Sequence, residues 1–227
     1  HWRLSLIAAL DRYVETCLYM LDDEEGLAIL DELDGLLAVD PTIEAAVKRI
    51  SCKRLALPLL PESDGYERVL QASVELREMV ASIRLKAKSV GQELAVDQLD
   101  ALMCAEVDSH LQSAIALDKR NMSPQALEEL KTANALVDAI GKAKPSPLML
   151  RMGAQVHAYL ASFEESLIGP DEAAWHAVEA MRWTSSVSLR ASRFNALARV
   201  ALRSKSSSLI LDFCEAVFAR QDRGISA

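Results

Sequence analysis

The sequence predicts an all-α protein of about nine antiparallel helices, and three observations carry that reading. The 227 residues include only 8 Gly and 7 Pro, with Ala and Leu abundant, which favours long helices and few turns. Aromatics make up 5%, and no run of alternating Val, Ile, Thr or Tyr reads as a strand. Between the Pro- and Gly-marked breaks, apolar residues recur three and four positions apart, the spacing of one helix face. Half the chain is apolar and its length suffices to bury a core, so the class is globular rather than disordered.

The first helix is expected from Trp2 to about Leu21, on Leu4, Ile7, Ala8, Val14, Leu18 and Leu21. A second runs from about Asp23 to Val39 and stops at Asp40-Pro41, because proline cannot continue a helix and disfavours helical geometry just before it. A third starts at Pro41-Thr42 and carries Ile43, Val47 and Ile50 toward Leu57; PLLPESDG, residues 58 to 65, then breaks the pattern. Two long helices follow, from Tyr66 to Lys88 and from about Glu93 to Asp118, with Gly91 between them. Ser123-Pro124 pairs a capping hydroxyl with a first-turn proline, and Gly141 offers a left-handed stop. KAKPSP, residues 142 to 147, is the second break. Four helices in two pairs complete the chain, over 148–167, 171–184, 188–204 and 207–221. The breaks mark three segments, read as parts of one continuous helical domain: acidic helices over 1–60, long helices over 61–145, and C-terminal pairs over 146–227.

The last two pairs restart about 36 to 40 residues apart, near the period of two-helix solenoid repeats. LLAVDP, residues 36 to 41, resembles the close of a tetratricopeptide repeat, and AAWHAVEA, residues 173 to 180, resembles the second helix of such a unit. The resemblance covers residues 1–57 and 148–221 as degenerate pairs. The two long helices of 66–118 exceed such a unit, and the family's Trp-Leu-Gly-Tyr pattern is absent from the first helices. The resemblance implies a solenoid that holds a peptide or helix in a concave groove; the alternative architecture is an irregular helical bundle.

Charge is segregated. The net charge is −8, and residues 1–40 alone, with ten acids against Arg3 and Arg12, account for it. No acid occurs between Glu179 and Asp212, a window that contains Arg182, Arg190, Arg193, Arg199, Arg203 and Lys205. These six residues are the candidate partner-binding set. Arginine's planar fork pairs bidentately with carboxylates, so an acidic protein or peptide is the expected partner. Six positive charges with little aromatic interleaving, on an acidic chain, make nucleic acid the weaker expectation. A second copy of the chain is a further candidate partner.

Other constellations read as ordinary structure. MLDDEEGLAILDELD, residues 20 to 34, packs seven acids into fifteen positions, like a metal-binding helix of diphosphate chemistry. Its Leu27, Ile29, Leu30, Leu33, Leu36 and Leu37 fall within an arc of roughly 120°. The acids lie outside that arc, so they read as a cap, a first turn and a solvated flank. Glu106 with His110, and Cys104 with Asp108, sit four apart on one helix and are expected as surface pairs. So are His176 with Glu172 and Glu179. His157 with Tyr159, and His176 beside Trp175, have no nucleophile motif near them, and Trp175, Trp183, Phe194, Phe213 and Phe218 read as packing between the helix pairs.

No Gly-x-Ser-x-Gly elbow or phosphate-cradling Gly-x-x-x-x-Gly-Lys occurs, so no catalytic residue, metal or cofactor is expected. Cys17, Cys52, Cys104 and Cys214 lack metal-site spacing and predict buried free thiols in a reducing compartment, the cytoplasm. No apolar run is long enough to span a bilayer, and no signal pattern opens the chain, so no membrane partner is expected. The chain begins His1-Trp2 without Met, which predicts a piece of a longer protein.

The leading expectation is a non-enzymatic protein–protein interaction module or scaffold. The alternatives are the helical sensor or effector domain of a larger transcriptional regulator, and a helical enzyme without a recognisable motif, for which Glu106, His110 and His157 would have to converge.

Overall fold

The computed structural model of the chain describes residues 23–60, 64, 66–140, 146–167, 169–184 and 191–221. Among these residues it is all-helical, with nine α-helices and no strand. They are α1 Asp23–Ala38, α2 Ile43–Ala56, α3 Glu67–Ser89, α4 Val96–Lys119 and α5 Ser123–Ile140, then α6 Pro147–Leu167, α7 Pro170–Trp183, α8 Ala191–Arg203 and α9 Ser207–Gln221. A short 3-10 turn, Leu57–Leu59, follows α2. The helix expected over Trp2 to Leu21, with Cys17, lies outside the described residues, as does Gly141. No described helix is long and apolar enough to cross a membrane.

Local chemistry sets the boundaries. Pro41 separates α1 from α2, and Asp40 Oδ1 accepts the Thr42 N–H at 3.0 Å. Thr42 Oγ1 in turn accepts the Ala45 N–H at 3.2 Å, satisfying one of the amides a helix start leaves open. After α3, Gly91 takes φ +64°, and the Gln92 N–H reaches back to the Ala87 carbonyl at 2.9 Å. The α4 helix starts at Val96 rather than near Glu93. Gln98 Oε1 accepts the Ala95 N–H at 3.1 Å, which fixes the cap one residue before Val96 and leaves 92–95 as a connector. Asn121, at φ +59°, follows the end of α4. Gly169 at φ +131° and Pro170 at the first helical position open α7.

The packing divides the chain into two compact units, residues 1–122 and 123–227. In the first, α2 packs on α1, α3 and α4, and α3 packs on α4. One core joins Ile43, Val47 and Ile50 to Leu76, Val80, Ile83 and Leu102; a second joins Ile29, Leu30, Leu33 and Leu37 to Ala45 and Cys52. Each fully buried Leu or Ile contributes about 1.5–3 kcal/mol. In the second unit, α5 packs on α6, α6 on α7 and α8, and α9 on both α7 and α8. Its core gathers Ala161, Ala173, Ala177, Val178, Met181, Leu197, Val200 and Phe213.

This division differs from three segments cut at the two breaks. The 58–65 break connects α2 to α3, which pack on one another, and the 142–147 break connects α5 to α6, which also pack on one another.

Candidate functional site

The α8 helix presents its basic side chains through ordinary amphipathicity. Leu197, Val200 and Ala201 are buried, with Phe194 and Ala198 partly so, and Phe194 lies 6.3 Å from Phe213 of α9 between ring centroids. The opposite face is exposed and carries Asn195, Arg199, Leu202 and Arg203. Arg199 and Arg203 stand four residues apart on one strip of the helix, and Leu202, three residues after Arg199, flanks that strip on one side. Leu202 is 64% exposed.

The other window residues are placed differently. Arg182, at the end of α7, donates to Glu179 of the preceding turn, so an acid of its own helix accompanies it. Lys205 is exposed beyond α8, but its backbone N–H and the Ser204 hydroxyl both donate to Asp171 Oδ1, each at 2.7 Å. Those hydrogen bonds, Ser204's first, hold the Asp171 carboxyl below the usual carboxylate range. Asp171 and Arg182 are separated by eleven residues of α7, roughly 17 Å along the axis. The window is therefore not one cluster: Arg199 and Arg203 share a face, Lys205 follows them, and Arg182 sits at the far end of α7. Arg193 belongs to α8, though its side chain lies outside the described residues, and Arg190 lies outside them altogether.

A second constellation joins α6 to α7. Small residues, Gly153, Ala154, Ala161, Ala173, Ala174, Ala177 and Ala180, are all buried on these two helices and let them approach closely. Into that seam project His157 and His176, whose Nδ1 atoms lie 2.9 Å apart. One Nδ1 donates and the other accepts, so both rings cannot be protonated at this geometry. Trp175 meets His176 edge-on at 4.5 Å between centroids, and Trp183 lies 6.3 Å from His157. Burial, with the neighbouring His176, pulls His157 down to about 3, and burial pulls His176 down to about 4. His157 Nε2 is buried with no hydrogen-bond partner among the described residues. Both rings are thus neutral near pH 7 and far from the range in which a general base is effective. The pair serves as a hydrogen-bonded packing element.

His176 is expected from sequence as a surface partner of Glu172 and Glu179, but it is buried and bonded to His157, a contact that spacing within one helix does not show. The available signal was the α6–α7 turn at Gly169-Pro170, which makes the two helices an antiparallel hairpin and brings 157 and 176 to facing stretches.

In the first unit, the pairs expected at the surface are engaged across helices. Cys104 and Asp108 are buried, not surface residues, because α4 turns this face toward α2. Arg54 of α2 donates to Asp108 Oδ2 at 3.3 Å, and Gln112 donates to its Oδ1 at 3.3 Å. Burial raises Asp108 above the usual carboxylate range, and Arg54 and Gln112 oppose the rise without cancelling it. Burial likewise pushes the Cys104 thiol up to about 12, which makes it inert. Cys52 is a second buried free thiol, and Cys214 is a partly buried one.

Glu106 pairs with Arg84 of α3 at 2.8 Å, and Arg77 donates to His110 Nδ1 at 3.3 Å. Glu106 and His110 belong to residues 1–122, while His157 belongs to the other unit and pairs with His176. The acid-rich helix behaves as expected in Ile29, Leu30, Leu33 and Leu37, which are buried, and in Asp31 and Glu32, which are exposed. Asp34 departs from the solvated reading, because Arg49 of α2 meets it at 2.8 Å and Lys53 at 3.3 Å. Burial raises Asp34, but the Arg49 hydrogen bond and the two cations outweigh it and hold the carboxyl below its usual range. No group of three or more His, Cys, Asp and Glu is arranged to hold a metal ion among the described residues.

Comparison of the chain with protein-family models, curated proteins and solved structures finds no match.

Proposed function

We propose that the chain is a non-enzymatic α-helical interaction module, a scaffold of degenerate tetratricopeptide-like helix pairs that binds an acidic protein or peptide in the cytoplasm. The observation that carries this reading is the outward face of α8, where Arg199 and Arg203 stand one turn apart and exposed Leu202 flanks them. An acidic amphipathic segment would place an apolar side chain on Leu202 and carboxylates on the two forks, a combination that phosphate backbones do not supply. The α6–α7 and α8–α9 pairs support the repeat reading, since each is a helical hairpin packed on its neighbour. The buried free thiols Cys52 and Cys104 support a reducing location.

Fluorescence anisotropy tests the proposal with a labelled acidic amphipathic peptide, a scrambled acidic peptide lacking apolar residues, and single-stranded DNA as probes. The amphipathic peptide is expected to bind best, and Arg199→Glu with Arg203→Glu to weaken it at least tenfold, about 1.4 kcal/mol. Tighter binding of DNA, or affinity that the double substitution leaves unchanged, would sink the reading.

A further inference from the structure

We infer that the cleft between α1, α3 and α4 is a binding site for a small uncharged molecule with an apolar body and one hydroxyl donor. The inference concerns residues 1–122 and does not rest on the α8 face. Two features of this unit meet in the cleft.

The first is a gap in the packing. The 3-10 turn Leu57–Leu59 packs on α1, α3 and α4, whereas α1 makes little direct contact with α3 or α4 among the described residues. The space so left measures about 560 Å³, within the range of small-molecule sites. Leu27 of α1, Leu60 after the turn, Val69 of α3 and Ile115 of α4 line it, one from each wall. Leu27, Leu60 and Ile115 are only partly buried. Close-packed interiors hold few voids wider than a water molecule, so an apolar cleft of this size leaves surface for a ligand to cover.

The second is an amide anchored from behind. Arg54 donates to Asp108 Oδ2 and Gln112 Nε2 donates to Asp108 Oδ1, each at 3.3 Å. A carboxylate oxygen bound in this way takes the nitrogen end of the amide, because that end alone carries hydrogens. Gln112 lines the cleft, and its Oε1 accepts from no group among the described residues. One end of the side chain is thus held by a buried ion pair, and the other is an acceptor available to a ligand. Tyr66 lines the same cleft and holds φ at +66°, a left-handed conformation that a non-glycine residue keeps only where its surroundings over-determine it.

The lining selects the ligand. An amide oxygen asks for an O–H or N–H donor. Glu24 is the one charged residue among the described lining, and its carboxylate opposes an anion. It is exposed, so water screens its attraction for a cation, while the leucine walls penalise burial of any charge. An alcohol with an apolar chain meets these conditions, and a carboxylate or an ammonium of the same length does not.

Methyl-resolved NMR of the full chain, labelled at Leu and Ile and titrated with 1-octanol, octanoate or octylamine, tests this. Octanol is expected to move the Leu27, Leu60 and Ile115 methyl signals and to bind most tightly of the three. Ile115→Trp, which fills the cleft, is expected to weaken octanol at least about tenfold. Gln112→Met keeps the length of the side chain and removes the acceptor, and is expected to weaken octanol about fivefold. Circular dichroism of both variants should retain the parent helicity, and the comparison of the three probes on the parent chain needs no variant. Octanol that leaves these methyl signals unmoved overturns the inference. So does octanoate or octylamine that binds as tightly, or an octanol affinity that either folded variant leaves unchanged.

Discussion

Gly153 faces the indole of Trp183 so closely that a Cβ added there would lie 2.9 Å or less from three ring carbons. Glycine within a helix costs roughly 0.5–1 kcal/mol relative to alanine, so an exposed helical glycine would be improved by substitution. Here the steric term wins, since overfilling a packed site costs typically 1–3 kcal/mol and the atoms met belong to a rigid ring. Gly153→Ala is therefore expected to destabilise the second unit by about 2 kcal/mol in chemical denaturation. Combining it with Trp183→Ala should remove that penalty; an equal penalty in both backgrounds would show that the ring is not its source. The reason for the glycine could not be read from its sequence neighbourhood, because the residue that requires it is thirty positions away.

Helix ends were legible wherever the chemistry is local. Asp40-Pro41, Ser123-Pro124 and Gly169-Pro170 each mark an observed boundary to within one or two residues. The start of α4 was read three residues early, because apolar spacing continues through Leu94 while the cap that decides the start depends on the Gln98 side chain. Arg199 and Arg203 were legible as outward-facing because their own helix supplies the apolar stripe that defines the other side. Contacts between helices were not legible. The His157–His176 bond and the Arg54–Asp108 pair depend on relative register, which no single helix encodes. The second of these ties α2 to α4, with side chains 15% and 8% exposed. Removing one member strands the other charge away from water, at about 3 kcal/mol. Asp108→Ala is expected to carry that penalty, and Arg54→Met with Asp108→Leu to recover most of it in urea denaturation. Failure of the double substitution to recover would mean that the ion pair itself, and not its desolvation, decides the balance.

Across the whole molecule, charge and titration are unevenly shared. Residues 1–122 hold 22 acids against 13 Lys and Arg, a net −9, while residues 123–227 hold 11 against 12, a net +1. Among the described groups of the second unit, the histidine pair carries the large shifts. In the unfolded chain each imidazole titrates near 6.5, but folded His176 and His157 do so only near 4 and 3. Between those values the unfolded chain binds more protons, so stability is full above pH 6.5 and falls as the pH drops toward 4. The slope approaches about 1.4 kcal/mol per pH unit for each histidine. Asp108, raised in the folded first unit, works in the opposite sense, since protonation relieves a buried carboxylate. The comparison that isolates the pair is His157→Phe with His176→Leu, which should flatten the loss of stability between pH 6.5 and 4. An unchanged slope would assign the acid response elsewhere.

The α6–α7 seam also gives the chain an optical property. Of its three tryptophans, two, Trp175 and Trp183, stand 5.8 and 6.3 Å from the ring of His157. Their emission therefore reports on one hairpin, whereas far-ultraviolet dichroism sums over every helix. A fluorescence change that precedes the loss of dichroism on acidification would mark protonation within this seam while the remainder of the chain stays wound.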